Sequence, residues 1–424
     1  MTDTEPADTT RTGDTGAARR DSRPGTRTRL PLGFWPLWGA TGLSNLGDSV
    51  AFVAAGLLAL TLTGDERLLS VVTATTFGAW IVLALPVGIV VDRLDRQRLM
   101  VTANLVRVLA CGAIALLAVG DELSIWSLLA LLAVIGSAEV VFDSTGQAIV
   151  PMLVPGNQLA RANGLVFAAE LIAGTIIGLA LGAVLFDIGD GVPFAINALA
   201  YAVAAAMMLT VRFRYVPPVD LTVQPSGSMR SSIVWLWRND LLRLIAGLTA
   251  LAGLCYMLSV GIIVKFAIVE LGLSNIEFGI LIAINAIGAA AGGLAGATVI
   301  EALGNRWALV VSYAVVALGM ISIGAVGPVW VIAAAYACIG FFLMVWNVAT
   351  LTIRQEQITP EQFGRVNGVF RWITGVTNVV GIVAGGFIAY ATSLPMPFIV
   401  GGVAMLVFGI VAAVPLRVAL DRVA

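Results

Sequence analysis

The sequence predicts an all-α membrane protein of twelve transmembrane helices arranged as two six-helix bundles. Three observations carry this: an apolar content too high for a water-soluble fold, twelve apolar stretches of membrane-spanning length, and a sequence echo between the two halves of the chain.

Of the 424 residues, 59% are hydrophobic and only 12% charged, where soluble domains carry about 25% charged residues. Even a large soluble domain leaves much of its surface in water, so a chain of this composition has too little polar surface to cover itself. Lipid as solvent removes the conflict. The formal charge of −1 argues against a nucleic-acid partner. Histidine is absent, which removes the usual neutral-pH proton carrier and the commonest metal ligand. Cys111, Cys255 and Cys338 lie far apart within apolar runs. They read as small core residues, not as a disulfide framework or metal site, and no cofactor is predicted.

Residues 1–33 are polar, with no early apolar stretch of the kind a signal peptide needs. A disordered, uncleaved cytoplasmic tail is expected. A membrane helix needs about 20 mostly apolar residues, and twelve stretches meet that length. The first six are Phe34–Leu62, Leu69–Val91, Leu99–Gly120, Leu123–Ile149, Ala162–Phe186 and Val192–Val211. The second six are Leu241–Val269, Asn275–Val299, Trp307–Val326, Val329–Leu351, Val366–Ala391 and Pro397–Leu416. Their apolar runs are uninterrupted, whereas barrel strands alternate with a period of two.

Between the sixth and seventh spans lies a polar linker, 212–240, whose SSIVWLWRND segment predicts an amphipathic helix on the membrane surface. It separates an N-terminal bundle (34–211) from a C-terminal bundle (241–416), with a short cytoplasmic tail at 417–424. Loop charge orients the chain: with the N-terminus inside, 20 of the 24 basic residues fall on the inner side and only Arg67 in an outer loop. Arg107, Lys265 and Arg371 fall within spans. Both termini are therefore expected in the cytoplasm of a cell with this chain in its plasma or inner membrane.

The halves echo each other in two places. Pro155 followed by Asn163-Gly164 after the fourth span matches Pro360 followed by Asn367-Gly368 after the tenth. The loop after span two aligns with the loop after span eight, placing Gly88 opposite Gly296 and Arg98 opposite Arg306. Parallel repeats of six helices imply two bundles related by an axis along the membrane normal, with a ligand site between them near the midplane.

The loop after span two holds Gly88, Asp92-Arg93, Arg96 and Arg98. Gly88 permits close helix approach, and Asp92 can accept a charge-assisted hydrogen bond at a helix end. This pattern resembles the signature of the major facilitator superfamily, with Leu94-Asp95 where that family usually has glycine. Glu139, Phe142-Asp143, Pro151, Leu159 and Ala162-Asn163 resemble the drug, macrolide and siderophore exporter branch. The branch's span-five Gly-Pro motif lacks its proline here, reading Gly178-Leu179-Ala180-Leu181-Gly182. The resemblance implies a transporter working by alternating access, with the span-two loop as an inner-gate motif.

Charges within lipid are costly and default to functional candidates. Asp48 lies about 20 Å along span one, on one face with Asn45. Glu139 and Asp143 share a face of span four. Counting from the inner ends puts Arg107, Asp143 and Glu170 at similar depth, so these three with Glu139 could form one buried network of three acids and one base. Protonation there could change which ion pair holds an inner gate closed; a static network that only binds helices together is the other reading. Asn285, Asn347, Arg371 and Asn378 are the polar positions within the second-half spans. Arg371 is expected at the inner mouth or snorkelling at the interface, and Lys265 is expected to snorkel at the outer side. Tyr201, Tyr256, Trp346 and Trp372 could line an aromatic cavity or simply pack. Glycines at 174, 178 and 182, and at 288, 292 and 296, form small-residue stripes for close helix packing.

The expected function is proton-coupled export of an amphipathic small molecule such as a drug, antibiotic or siderophore-like metabolite, by a chain expected to be monomeric. Uptake or lipid flipping on the same fold is an alternative, and a non-transporting receptor or assembly partner is an alternative of another class. An enzyme is disfavoured by the lack of histidine and of a Gly-rich phosphate loop.

Overall fold

The computed structural model describes residues 30–155, 158–211, 229–358 and 360–421. The expectations for the N-terminal tail, and most of those for the linker, fall outside the described residues, as do the side chains of Gly88, Asp92 and Arg93.

The chain is helical from end to end of its apolar stretches. The first half contains α1 (Phe34–Leu62), α2 (Glu66–Arg93), α3 (Arg96–Val119) and α4 (Ile125–Leu153). A fifth pass is built from α5 (Leu159–Ala169), a π-helical segment (Glu170–Gly178) and α6 (Leu179–Ile188), and α7 (Val192–Thr210) completes the half. The amphipathic α8 (Met229–Arg238) precedes α9 (Asp240–Val260). After α9 come a one-turn α10 (Ile263–Lys265) and a π turn, Phe266–Glu270. The remainder is α11 (Asn275–Gly324), α12 (Val329–Gln357), α13 (Pro360–Ala391) and α14 (Met396–Asp421).

Ten of these helices are long and apolar enough to cross a membrane. One of them, α11, is two passes joined at a kink at Gly304, whose φ of 76° is not helical. Adding the shorter apolar helix within the fifth pass (Ile172–Ile188) brings the count to twelve. Only glycine takes that φ freely, so the chain turns at Gly304 itself where the spacing predicts a longer loop.

Lipid offers no partner for a free backbone group, so the helix ends carry their own. Asp65 caps α2 by accepting from the Arg67 N–H at 2.8 Å. Asp95 does the same for α3 through Arg98 N–H at 2.9 Å. Ser124 with Ser127, and Ser274 with Glu277, form reciprocal capping boxes on α4 and α11. Gln97 reaches the end of α7, donating to the carbonyls of Met208 (2.8 Å) and Val211 (2.9 Å).

In the first half α1 packs on α7 and on the π segment, α3 on α4 and α7, and α2 on α4. In the second, α9 packs on α13 and α14, while α11 packs on α12 and α14. The halves meet along α2 against α13 and along the fifth pass against α11. The glycine stripes lie at close approaches. A Cβ at Gly178 would meet Leu46 O at 2.9 Å, and one at Gly182 would meet Val50 O at 2.8 Å, so the fifth pass sits directly on the α1 backbone. Gly288 and Gly292 face the α12 backbone at Ala337 and Phe341 in the same way. Long apolar side chains such as Leu109, Leu116, Ile410 and Val414 point outward, toward lipid.

The third pass of each half ends in a left-handed non-glycine residue, Asp121 (φ 56°) in the first and Val326 (φ 51°) in the second.

Candidate transport site

Asp48 sits 14 residues into α1, about 21 Å at 1.5 Å per residue. Ser44, one turn earlier, shares its face. Both meet Arg107 of α3, whose side chain is wholly buried. Its Nη1 lies 2.5 Å from Ser44 Oγ and its Nη2 3.3 Å from Asp48 Oδ1. The Tyr201 hydroxyl of α7 donates to Asp48 Oδ1 at 2.7 Å. The guanidinium also stacks toward two rings, 4.9 Å from the Tyr201 centroid and 5.4 Å from that of Phe142, a favourable use of a charge away from water. Asn197 donates to Gly47 O at 2.5 Å. Because a Cβ at Gly47 would meet Asn197 Oδ1 at 2.6 Å, the glycine is what lets α7 bring Tyr201 against Asp48.

Glu139 and Asp143 project from α4 toward this pair. Glu139 lies near the Trp80 side chain and within electrostatic reach of Asp48, Arg107 and Asp143. Asp143 in turn senses Asp48, Arg107 and Glu170, the first residue of the π segment. One buried arginine thus has three carboxylates from two passes within electrostatic reach, and Glu170 of the fifth pass joins through Asp143. Depth along the helices puts Arg107 among Glu139, Asp143 and Glu170; its direct ion pair is instead with Asp48, across the polar space left where α1 and α3 both pack on α7. Asn45 turns back to its own helix, donating to Thr41 O at 3.0 Å.

Three members of the cluster had no sequence reading: Ser44, Asn104 and Asn197. Asn104 is wholly buried one turn before Arg107, and both its amide atoms lack a hydrogen-bond partner. The helical spacing Asn104–Arg107 was the available signal, since a second polar residue on one face within an apolar helix marks a polar interior.

The second-half polar positions do not gather. Asn285 donates to Tyr336 O at 2.9 Å, bracing α11 on α12, and also bonds Tyr256. Asn378 packs its buried Oδ1 over Gly253. Asn347 and Arg371 are exposed on the bare protein surface. The four aromatics separate as well: Tyr201 joins Asp48, Tyr256 packs against the apolar core, Trp346 lies tilted against Tyr313 at 5.3 Å, and Trp372 faces outward, 55% exposed.

At the arginine-rich end, Arg96 donates to Ala148 O at 3.2 Å, tying α3 to α4, while Arg98 is exposed. At the opposite end, the halves are bound together. Lys265 does not snorkel: it pairs with Glu66 at 2.6 Å and with the Gly64 carbonyl. The break after Val260 and the short α10 carry it across to the start of α2. Arg67 lies 3.8 Å above the Tyr390 ring, and Asn275 donates to Asp187 at 2.7 Å. The Arg67 guanidinium also holds the Asp65 carboxyl at a pKa of about 2, below the usual carboxylate range.

Comparison with known proteins agrees with this architecture. The chain is 23% identical over 392 residues to macrolide efflux protein A of Streptococcus pyogenes, covering 90% of this chain and 95% of that protein. Its fold matches that of a mutant of the nucleoside transporter NupG, with a TM-score of 0.73 at 14% identity over 90% of this chain and 99% of that one. A bacterial homologue of the human lysosomal transporter Spinster, in an inward-facing and occupied conformation, matches with a TM-score of 0.71 at 15% identity over 92% and 96%. The model of the Major Facilitator Superfamily matches residues 37–238 and 245–422, which is nearly the whole membrane region, and the chain belongs to that superfamily of membrane transporters.

Proposed function

We propose that the chain exports amphipathic small molecules across the cell membrane in exchange for protons, with its arginine-rich end in the cytoplasm. The observation that carries this reading is the ratio of one buried arginine to the three carboxylates within its electrostatic reach: Asp48, Glu139 and Asp143. A single guanidinium cannot satisfy all three, so proton uptake by one acid decides which of the others Arg107 holds. Asp48 and Arg107 lie on different helices of the same bundle, and exchange of that pairing shifts α1 against α3. The fifth pass rests on α1 through its glycines and also meets the second bundle, so such a shift is passed to the bundle interface. Similarity to a macrolide efflux protein supports export as the direction and an amphipathic solute as the cargo. The Lys265–Glu66 end, closed by contacts between the halves, would be the outer gate.

Reconstitution into proteoliposomes with an imposed proton gradient tests the reading, with a panel of amphipathic solutes that includes a macrolide. Wild-type protein should move at least one solute against the direction of proton flow. Asp48→Asn, inserted normally, should lose gradient-driven movement. Solute flux that ignores the gradient, or an Asp48→Asn variant with unchanged flux, would remove the proposal.

A further inference from the structure

The second half of the chain contains a cavity of its own, to which none of the acids on α1 or α4 contributes. It has a volume of about 140 Å³ and lies among α9, α11, α12 and α14, bordered by Leu248, Leu309, Tyr313, Trp346, Leu406 and Leu416. Its lining is apolar except at two places. The Tyr313 hydroxyl and the Trp346 indole N–H both lack a hydrogen-bond partner, although the two residues are only 6% and 4% exposed. Buried donors are almost always paired. Two orphans from different helices, on rings whose centroids lie 5.3 Å apart beside one small cavity, are the mark of a site that waits for an acceptor.

A groove adjoins the cavity. It has a volume of about 720 Å³, runs between α9 and α14, and shares Leu248 and Ala412 with the cavity wall. The groove opens beside Trp237, Asp240 and Arg243 at the arginine-rich end, and its flank of Val411, Val414 and Phe408 faces the lipid. Gly247 borders it with nothing within 4 Å of where a side chain would begin. Cavity and groove together are within the size range of small-molecule sites, about 300–1,000 Å³. An apolar cavity of about 150 Å³ without polar groups is known to take up small hydrocarbons; the two donors here add a requirement for oxygen.

We infer that the second bundle binds a lipophilic molecule carrying one hydrogen-bond-acceptor oxygen, an ester or ketone, which enters from the adjoining lipid leaflet along the α9–α14 groove. The apolar body occupies the groove, and the oxygen accepts from Tyr313 and Trp346. The site goes beyond the transport reading and does not depend on it, since it uses neither the proton-binding acids nor the interface between the halves.

The test uses two photoreactive diazirine probes of equal length, a ten-carbon ethyl ester and the matching alkane, applied to the full chain in lipid nanodiscs, with labelled peptides mapped by mass spectrometry. The ester should label residues 244–251, 309–314 or 406–416 about fivefold more than the alkane, the scale of one neutral hydrogen bond. Tyr313→Phe keeps the ring and removes the donor, and should bring the two probes to near equality. Ala413→Phe, which fills the cavity, should abolish labelling by both. Equal labelling of wild type by the two probes would overturn the inference, as would an ester preference that survives Tyr313→Phe. Should Ala413→Phe fail to accumulate, the Tyr313→Phe comparison decides alone.

Discussion

Arg107 reaches across from α3 to place Nη2 3.3 Å from Asp48 Oδ1, while its own Nε finds no acceptor. The arginine is wholly buried, and the Asp48 side chain is 15% exposed. The pair is therefore asymmetric: the base is fully enclosed and the acid is partly exposed. In the mechanism proposed above, Asp48 is the partner that changes state.

Removing the acid alone should be costly. Asp48→Ala strands a buried guanidinium, a loss of about 3–5 kcal/mol for a broken buried pair. Asp48→Ala combined with Arg107→Met removes both charges and should recover most of it, because apolar replacements of buried ion pairs are often neutral. Denaturant unfolding in detergent, read by tryptophan fluorescence, measures both. A single mutant as stable as wild type would show that the pair does not support the bundle.

Among the described residues, Lys265–Glu66 is an ion pair between the halves, with side chains only 15% and 18% exposed. Lys265→Met should weaken closure at that end by about 1 kcal/mol, the upper end of the range for exposed pairs, which is about a fivefold shift between open and closed forms. Spin labels at Glu122 and Val329, exposed on the two halves at that end, should report a larger fraction of long distances. An unchanged distance distribution would mean that Arg67–Tyr390 and Asn275–Asp187 suffice to hold the halves together.

Much of the fold was legible because membrane helices announce themselves by length and apolarity alone, and the twelve stretches recur as twelve passes. The pairing of charges was less legible. Depth along a helix can be counted from sequence, which put Arg107 level with Asp143 and Glu170, but azimuth depends on how neighbouring helices pack. Gly47 decides that azimuth for α7, and nothing in a lone glycine foretells that Asn197 will occupy the space its missing side chain leaves. Lys265 was misplaced for a related reason. An unbroken helix from Arg243 would carry it to the interface, whereas the break at Gly261 and the short α10 turn it inward to Glu66.

The left-handed residue that ends the third pass of each half gives a prediction about strain. Aspartate tolerates this conformation, but a β-branched residue there is a genuine outlier, and the conformation costs about 1–2 kcal/mol for residues with a Cβ. Val326 is 39% exposed, so little packing is lost on replacing it. Val326→Gly should raise the thermal midpoint, whereas the matching Asp121→Gly should change it little. A lower midpoint for Val326→Gly would mean that the valine side chain contributes more by contact than its backbone loses by strain.

Asp65 offers a control for any pH dependence assigned to the buried acids. Its carboxyl caps α2 and clasps Arg67, which holds its pKa at about 2. A carboxyl lowered on folding stabilises fully above its unfolded value, about 3.9, and that contribution disappears as pH falls through about 2. Asp65→Ala should therefore cost about 1 kcal/mol, as loss of an N-cap does, by the same amount at every pH from 5 to 8, with the gap narrowing only below about pH 4. Thermal midpoints of the two proteins across that range measure it. A gap that changes between pH 5 and 8 would show that Asp65 is coupled to a group titrating near neutrality, and transport profiles in that range could then no longer be assigned to Asp48 and its neighbours alone.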